Sequence, residues 1–213
     1  MSIEELFDFD KRFNKLIIGT DEAGRGPGAG GVFAAAVHFE NITPALMKDL
    51  IILNDSKKLT PKNRESIYDT ILSYSINKIV CIEVEEIEKI NILNASLKAM
   101  LMACNEVAKN LDKKDMLTLV DGNKLIKAYE YPQEFVIKGD SKSASIAASS
   151  ILAKVTRDRY MEKLHEEFPM YNWRKNAGYL TAEHLAAIER YGLTKYHRPS
   201  FLRKFYEKKK ELV

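Results

Sequence analysis

The chain lacks most of what would tie it to a membrane, an oxidising compartment or a common cofactor. It has two cysteines in 213 residues, Cys81 and Cys104, each inside an apolar stretch. They form no C-x-x-C pair, so a disulfide scaffold is excluded and two buried, reduced thiols are expected. The four histidines, at 38, 165, 184 and 197, are too dispersed for a zinc motif. No apolar run approaches the ~18 residues of a membrane helix. The leading Met1-Ser2-Ile3-Glu4-Glu5 is acidic and has no export-signal core, so a cytoplasmic protein away from membranes is expected. There is no G-x-x-x-x-G-K-[ST] and no G-x-S-x-G, which leaves a P-loop and a serine hydrolase unsupported. Charge of one sign is also scarce. Thirty-three Lys and Arg against 30 Asp and Glu leave a net +3, which permits nucleic-acid binding without demanding it. No internal repeat, low-complexity tract or composition break divides the chain.

What is present is enough apolar material for a core, 46% of residues, so global disorder is excluded. Residues 1–14 read as a lead-in helix. Strands are predicted at 15–22, 31–39, 78–84, 116–121 and 133–140. Thr43-Pro44 and Thr60-Pro61 each place an N-cap residue before a first-turn proline, opening helices to about 50 and 74. Leu97, Met100, Leu101, Cys104, Val107 and Leu111 recur at helical spacing, and further helices are predicted over 143–168, from 181 and over 202–213. Strands interleaved with helices imply an α/β fold with a central mixed β-sheet flanked by helices.

The densest chemistry lies in Asp21-Glu22-Ala23-Gly24-Arg25-Gly26-Pro27, directly after the apolar run 16–20. Two further predicted strands end in acids, Asp121 and Asp140. Four carboxylates at one end of a sheet would repel one another unless cations lay between them. Oxygen ligands suit Mg²⁺ and Mn²⁺ alike, and such a layout suits two-metal phosphoryl transfer. Successive strand residues face opposite sides, so Asp21 and Glu22 share a site only if the strand bends, as Gly24 and Gly26 would allow. Strand-end Asp before Gly also serves ordinary turns, and residue chemistry alone leaves both readings open. Gly26-Pro27-Gly28-Ala29-Gly30-Gly31 fits a dinucleotide fingerprint, but that fingerprint must open a helix. Here a strand follows and Pro27 interrupts the turn.

Residues 19–27 resemble the signature of the type 2 ribonucleases H, specifically the bacterial ribonuclease HII family. Seven more blocks match in family order: Asn54-Asp55-Ser56-Lys57-Lys58-Leu59, Ile90-Asn91-Ile92, Val120-Asp121-Gly122-Asn123, Lys138-Gly139-Asp140-Ser141, residues 151–158, Gly178-Tyr179 and His197-Arg198-Pro199-Ser200-Phe201. The resemblance implies an RNase H-like catalytic domain over 1–175 and a C-terminal helical extension over 176–213. It implies a monomeric endoribonuclease. That enzyme would cut RNA in RNA–DNA hybrids and nick 5′ of single ribonucleotides in duplex DNA, leaving 5′-phosphate and 3′-hydroxyl ends. Two divalent ions, Mn²⁺ or Mg²⁺, would be held by Asp21, Glu22, Asp121 and Asp140. Gly24, Arg25 and Gly26 would read the 2′-OH, the group that marks RNA, and Tyr179 would stack on the following sugar. Lys57, Lys58, Lys142 and Arg157 are candidates for phosphate contacts, which position a duplex without reading it. The chain departs from the family at Gly28 and Gly31, where an apolar residue and a proline are usual. It departs again at Ala177, where lysine is usual, and Arg174 or Lys175 could substitute. Asp55 and Asp158 are rival acids, better explained by a turn bond and an ion pair.

Overall fold

The computed structural model describes residues 1–54, 56 and 59–210. Its centre is a mixed sheet in the order β3-β2-β1-β4-β5. β1 (Leu16–Ala23) runs antiparallel to β2 (Val32–His38) and parallel to β4 (Met116–Asp121). β3 (Ile76–Ile82) pairs antiparallel with β2, and β5 (Gln133–Val136) pairs parallel with β4.

Every residue of β2 is buried, because helices cover both faces. On one side α5 (Ile92–Ala108) sets Ala95, Ala99, Ala103 and Val107 against Ala34, Ala36, Val80 and Ile82. On the other, α6 (Ala144–Glu167) packs on Ala35 and Val37 together with α1 (Ile3–Lys11), α2 (Pro44–Asp49) and α3 (Pro61–Tyr74). Small residues let these helices approach closely. A Cβ at Gly19 would fall 2.2 Å from the Ser145 carbonyl carbon, so glycine in β1 is what allows the start of α6 to lie on the strand. Each fully buried Val or Leu contributes roughly 1.5–3 kcal/mol. Ser143 Oγ caps α6 by accepting from Ile146 N at 3.2 Å. Asp10 Oδ2 reaches from α1 to accept from Ser145 N at 2.9 Å.

Two segments differ from the sequence expectation. β3 stops at Ile82, because Glu83 starts the short helix α4 (Val84–Ile90), whose Val84 and Ile87 are buried one turn apart. β5 stops at Val136. Lys138 then takes a left-handed conformation (φ 55°) and Gly139–Ser141 forms a 3-10 turn. Asp140 therefore sits on the turn that enters α6, not at a strand end. Cys104 is buried as expected, whereas Cys81 is half-buried, 3.5 Å from Glu83 Oε1.

Beyond α6, α7 (Trp173–Asn176), α8 (Ala182–Tyr191) and α9 (Pro199–Lys210) gather around Trp173, with Met161, Leu164, Tyr171, Ile188 and Leu202. Ala29 joins this cluster, which fastens these helices to the loop after β1. Among the described residues no helix is long and apolar enough to cross a membrane.

Candidate active site

Parallel pairing of β1 with β4 sets Thr20 opposite Val120, so Asp21 and Asp121 leave adjacent strands side by side. The 3-10 turn brings Asp140 to the same point. One carboxylate oxygen from each of these three residues lies within 4.8 Å of the others. Glu22 N–H donates to Asp21 Oδ1 and Gly139 N–H donates to Asp121 Oδ1, both at 2.7 Å. Asp21 and Asp140 are each only 5% exposed. Burial, and then the charges of Glu22 and Asp121, push the Asp21 carboxyl well above its ordinary range; the bonds from Glu22 N–H and Ser150 oppose that rise. An acid so destabilised in its charged form is matched by a divalent cation. The donors are hard oxygens, so the residues present fit Mg²⁺ or Mn²⁺.

Glu22 is outside this tight trio. β1 stays regular through Ala23, and the anticipated bend comes only at Gly24. Strand alternation sends Asp21 toward Ser150 on α6 and Glu22 toward a groove with Leu93 and Ser96 of α5. Asp121 lines that groove too, and Glu22 also lines the cleft that holds Asp21 and Asp121, so it borders the cluster. Its Oε1 accepts from Arg25 Nη1 at 3.2 Å.

A cleft of about 330 Å³ opens over the acids. Its walls include Gly24, Arg25, Gly26 and Tyr179 from the predicted reading elements, and Ser56, Ser150 and Lys154. A larger cavity, about 830 Å³, lies beside α5 and residues 128–131, but none of the clustered acids lines it. Tyr179 is 54% exposed and faces Gly26 so closely that a Cβ there would be 3.2 Å from Tyr179 Cε1. Lys142 is half-buried and is not among the cleft-lining residues; its N–H closes the turn on Gly139 O at 2.9 Å. Lys57, Lys58 and Asp55 lie outside the described residues. Asp158 pairs with Lys154 (2.5 Å) and Arg64 (3.7 Å), which fits the ion-pair reading. Arg174 is engaged with Glu162 at 2.5 Å.

The reading of Arg157 as a phosphate contact is overturned. It is 2% exposed and donates to the carbonyls of Ala29, Gly31 and Ala177. Three other residues at the site went unassigned from sequence. Ser150 touches Asp21 and donates to Ser56 Oγ at 2.7 Å. Lys154 follows one helical turn later on α6. Arg198, fully buried, donates to Gly30 O and Pro27 O. The spacing 150, 154, 157 on a predicted helix was the available signal for the first two.

The family model described as Ribonuclease HII matches residues 18–208. The chain belongs to the ribonuclease HII family. Ribonuclease HII of Christiangramia forsetii is 50% identical over 189 residues, covering 87% of this chain and 89% of the relative. Ribonuclease HII of Fusobacterium nucleatum is 45% identical and covers 99% of both chains. Among solved structures, ribonuclease H2 from Pyrococcus horikoshii OT3 is similar at a TM-score of 0.71 and 26% identity, covering 90% of this chain and 97% of that one. Bst-RNase HIII in complex with Mn²⁺ shares the fold at a TM-score of 0.65 and 16% identity, over 89% of this chain and 65% of that one. The sheet with its flanking helices is thus an RNase H-like fold, and this ribonuclease HII family member is a metal-dependent ribonuclease.

Proposed function

We propose that this protein hydrolyses the RNA strand of RNA–DNA hybrids and nicks immediately 5′ of single ribonucleotides in duplex DNA. The observation that carries the reading is the convergence of Asp21, Asp121 and Asp140 within 4.8 Å, beneath a cleft whose wall juxtaposes Gly24, Gly26 and Tyr179. Asp21, Asp121 and Asp140, with Glu22 at the border, would hold two divalent ions, Mg²⁺ or Mn²⁺. When bound, those ions supply positive charge that favours attack on the scissile phosphate and departure of the 3′-oxygen.

The chain's own residues do the rest. Gly139 N–H and Glu22 N–H fix the carboxylates of Asp121 and Asp21, so the ligands are oriented before substrate arrives. Gly24 and Gly26 offer backbone groups to a ribose 2′-OH with no side chain in between, and a 2′-OH both donates and accepts. Tyr179, exposed and beside Gly26, offers a ring face to the next sugar. Arg25 and Lys154 line the cleft as cations for the flanking phosphates, and Lys57, Lys58 and Lys142 extend that role along the duplex. The products are a 5′-phosphate and a 3′-hydroxyl, and we read the protein as a cytoplasmic monomer.

The test is a panel of end-labelled substrates in Mg²⁺, Mn²⁺ or EDTA: a long hybrid, a DNA duplex with one ribonucleotide, all-DNA duplex and branched DNA. Metal-dependent cleavage of the first two alone is expected. Cleavage of branched DNA lacking ribonucleotides, or tight binding without turnover, would overturn the reading.

A further inference from the structure

Arg157 is a charged group buried beside the cleft, and its contacts are arranged across two chain segments. Nε donates to Gly31 O (3.3 Å) and Nη2 to Ala29 O (3.1 Å), both in the loop that follows Gly24-Arg25-Gly26. Nη1 donates to Ala177 O (3.0 Å), two residues before Tyr179. The guanidinium therefore staples the glycine loop to the tyrosine segment. Arg198 lies near it, but its bonds reach only Gly30, Pro27 and Arg25, all in the first segment.

The two segments meet at this staple. Ala177 is in the left-handed region (φ 48°) without being glycine, a conformation that persists only where its surroundings hold it. Gly28 N–H donates to Gly178 O at 2.9 Å, the one backbone bond that joins the loops directly. Gly24 lies directly on the arginine: a Cβ there would fall 2.2 Å from Nε. Arg157 thus touches the backbone on both sides of the gap between Gly26 and Tyr179. A guanidinium is the side chain suited to this task, since it presents several donors in one plane and is weakly hydrated. A lysine offers a single point of attachment.

We propose that Arg157 is a positioning residue for ribonucleotide discrimination: it holds Gly24–Gly26 and Tyr179 as one rigid unit and so sets the gap that accepts the ribose at an RNA–DNA junction. The proposal rests on the reading of Gly24, Gly26 and Tyr179 given above. Its signature is selectivity. The carboxylates are oriented by Glu22 N–H and Gly139 N–H, not by Arg157, so the chemical step is spared. A long hybrid presents a 2′-OH at every step and tolerates a misplaced reader, whereas a single ribonucleotide presents one.

The experiment compares wild type, Arg157→Lys and Arg157→Gln on a single-ribonucleotide duplex and a long hybrid, with kcat and KM measured separately and folding checked by circular dichroism. The expected result is a fall of at least about tenfold in kcat/KM on the single ribonucleotide, carried by KM. The loss on the long hybrid should stay below about threefold, with Arg157→Lys no better than Arg157→Gln. Equal losses on both substrates, the result of general loosening, would overturn the proposal. An unchanged ratio would also overturn it. If both variants fail to fold, Asn176→Ala carries the same expectation and the same refutation. It frees the Gly178 N–H that Asn176 Oδ1 now accepts at 2.8 Å, loosening the tyrosine segment without touching Arg157. A wild-type protein that cleaves hybrids but not the single-ribonucleotide duplex would instead sink the reading of the reader loops and take this proposal with it.

Discussion

Asp21→Asn should abolish activity and yet raise the melting temperature of the metal-free protein. Asp21 is buried, and one of its oxygens lies within 4.8 Å of oxygens of Asp121 and Asp140. At that distance each fully ionised pair repels by about 3.5 kcal/mol at an effective dielectric near 20. Proton uptake by Asp21, whose carboxyl is pushed well above its usual range, caps the penalty at the cost of protonating an ordinary carboxyl at pH 7, about 4 kcal/mol at most. Asparagine keeps an oxygen for the Glu22 N–H, and its amide can donate to the neighbouring carboxylates. For a chain of this size each kcal/mol moves the melting temperature by about 2–4 °C. The assay is thermal unfolding in EDTA and again in excess Mn²⁺. In EDTA the variant should melt several degrees above wild type. In Mn²⁺ wild type should gain stability by mass action and the variant should gain much less. A variant that melts below wild type in EDTA would refute the reasoning. It would mean that hydrogen bonds from Ser150 and Glu22 N–H outweigh the desolvation and repulsion.

Tyr179→Ala should reduce kcat/KM on a single ribonucleotide by about 10-fold or more, since base or sugar stacking on an aromatic ring is worth about 1–3 kcal/mol. Long hybrids should suffer less, and equal loss on both substrates would remove Tyr179 from junction sensing. Asp10→Asn should stabilise the fold at neutral pH. Burial raises the Asp10 carboxyl from 3.8 to about 6, so the folded state holds a proton that the unfolded state has released. The stabilising contribution of this group is full below about pH 4 and is lost as pH rises to about 6, which caps the cost above that at ~3 kcal/mol. Melting curves from pH 4 to 8 should show the variant's advantage growing over pH 4–6 and then levelling off. An advantage that is constant with pH would contradict the account.

The sheet was legible because its strands are apolar runs bounded by Gly, Pro and Asp, and because Thr-Pro marks the starts of α2 and α3. Asp21 and Asp121 were legible for the same reason: each ends an apolar strand. Asp140 was placed correctly in the cluster but on the wrong element, since a left-handed Lys138 has no sequence signal and the apolar run continues past Val136. Glu22 was expected among the acids through a bend; β1 instead stays regular through Ala23, and Glu22 lines the cleft beside Asp21 and Asp121 without entering the tight trio. Arg157 was misread because a basic residue followed by Asp158 and Arg159 looks solvated. Its burial depends on carbonyls from residues 29, 31 and 177, which no local pattern foretells. The short α4 went unread although Val84, Ile87 and Ile90 recur at helical spacing among acids, because Val84 also reads as the end of the strand.

The most direct measurement is cleavage of a duplex with one ribonucleotide by wild type and Asp121→Asn, in Mn²⁺ and in EDTA, with the product ends mapped. A metal-dependent nick immediately 5′ of the ribonucleotide, with 5′-phosphate and 3′-hydroxyl ends, is expected from wild type and absent from a folded Asp121→Asn variant. Wild-type turnover by that variant, or a nick that persists in EDTA, would contradict the claim that the Asp21–Asp121–Asp140 cluster is the metal-dependent catalytic centre.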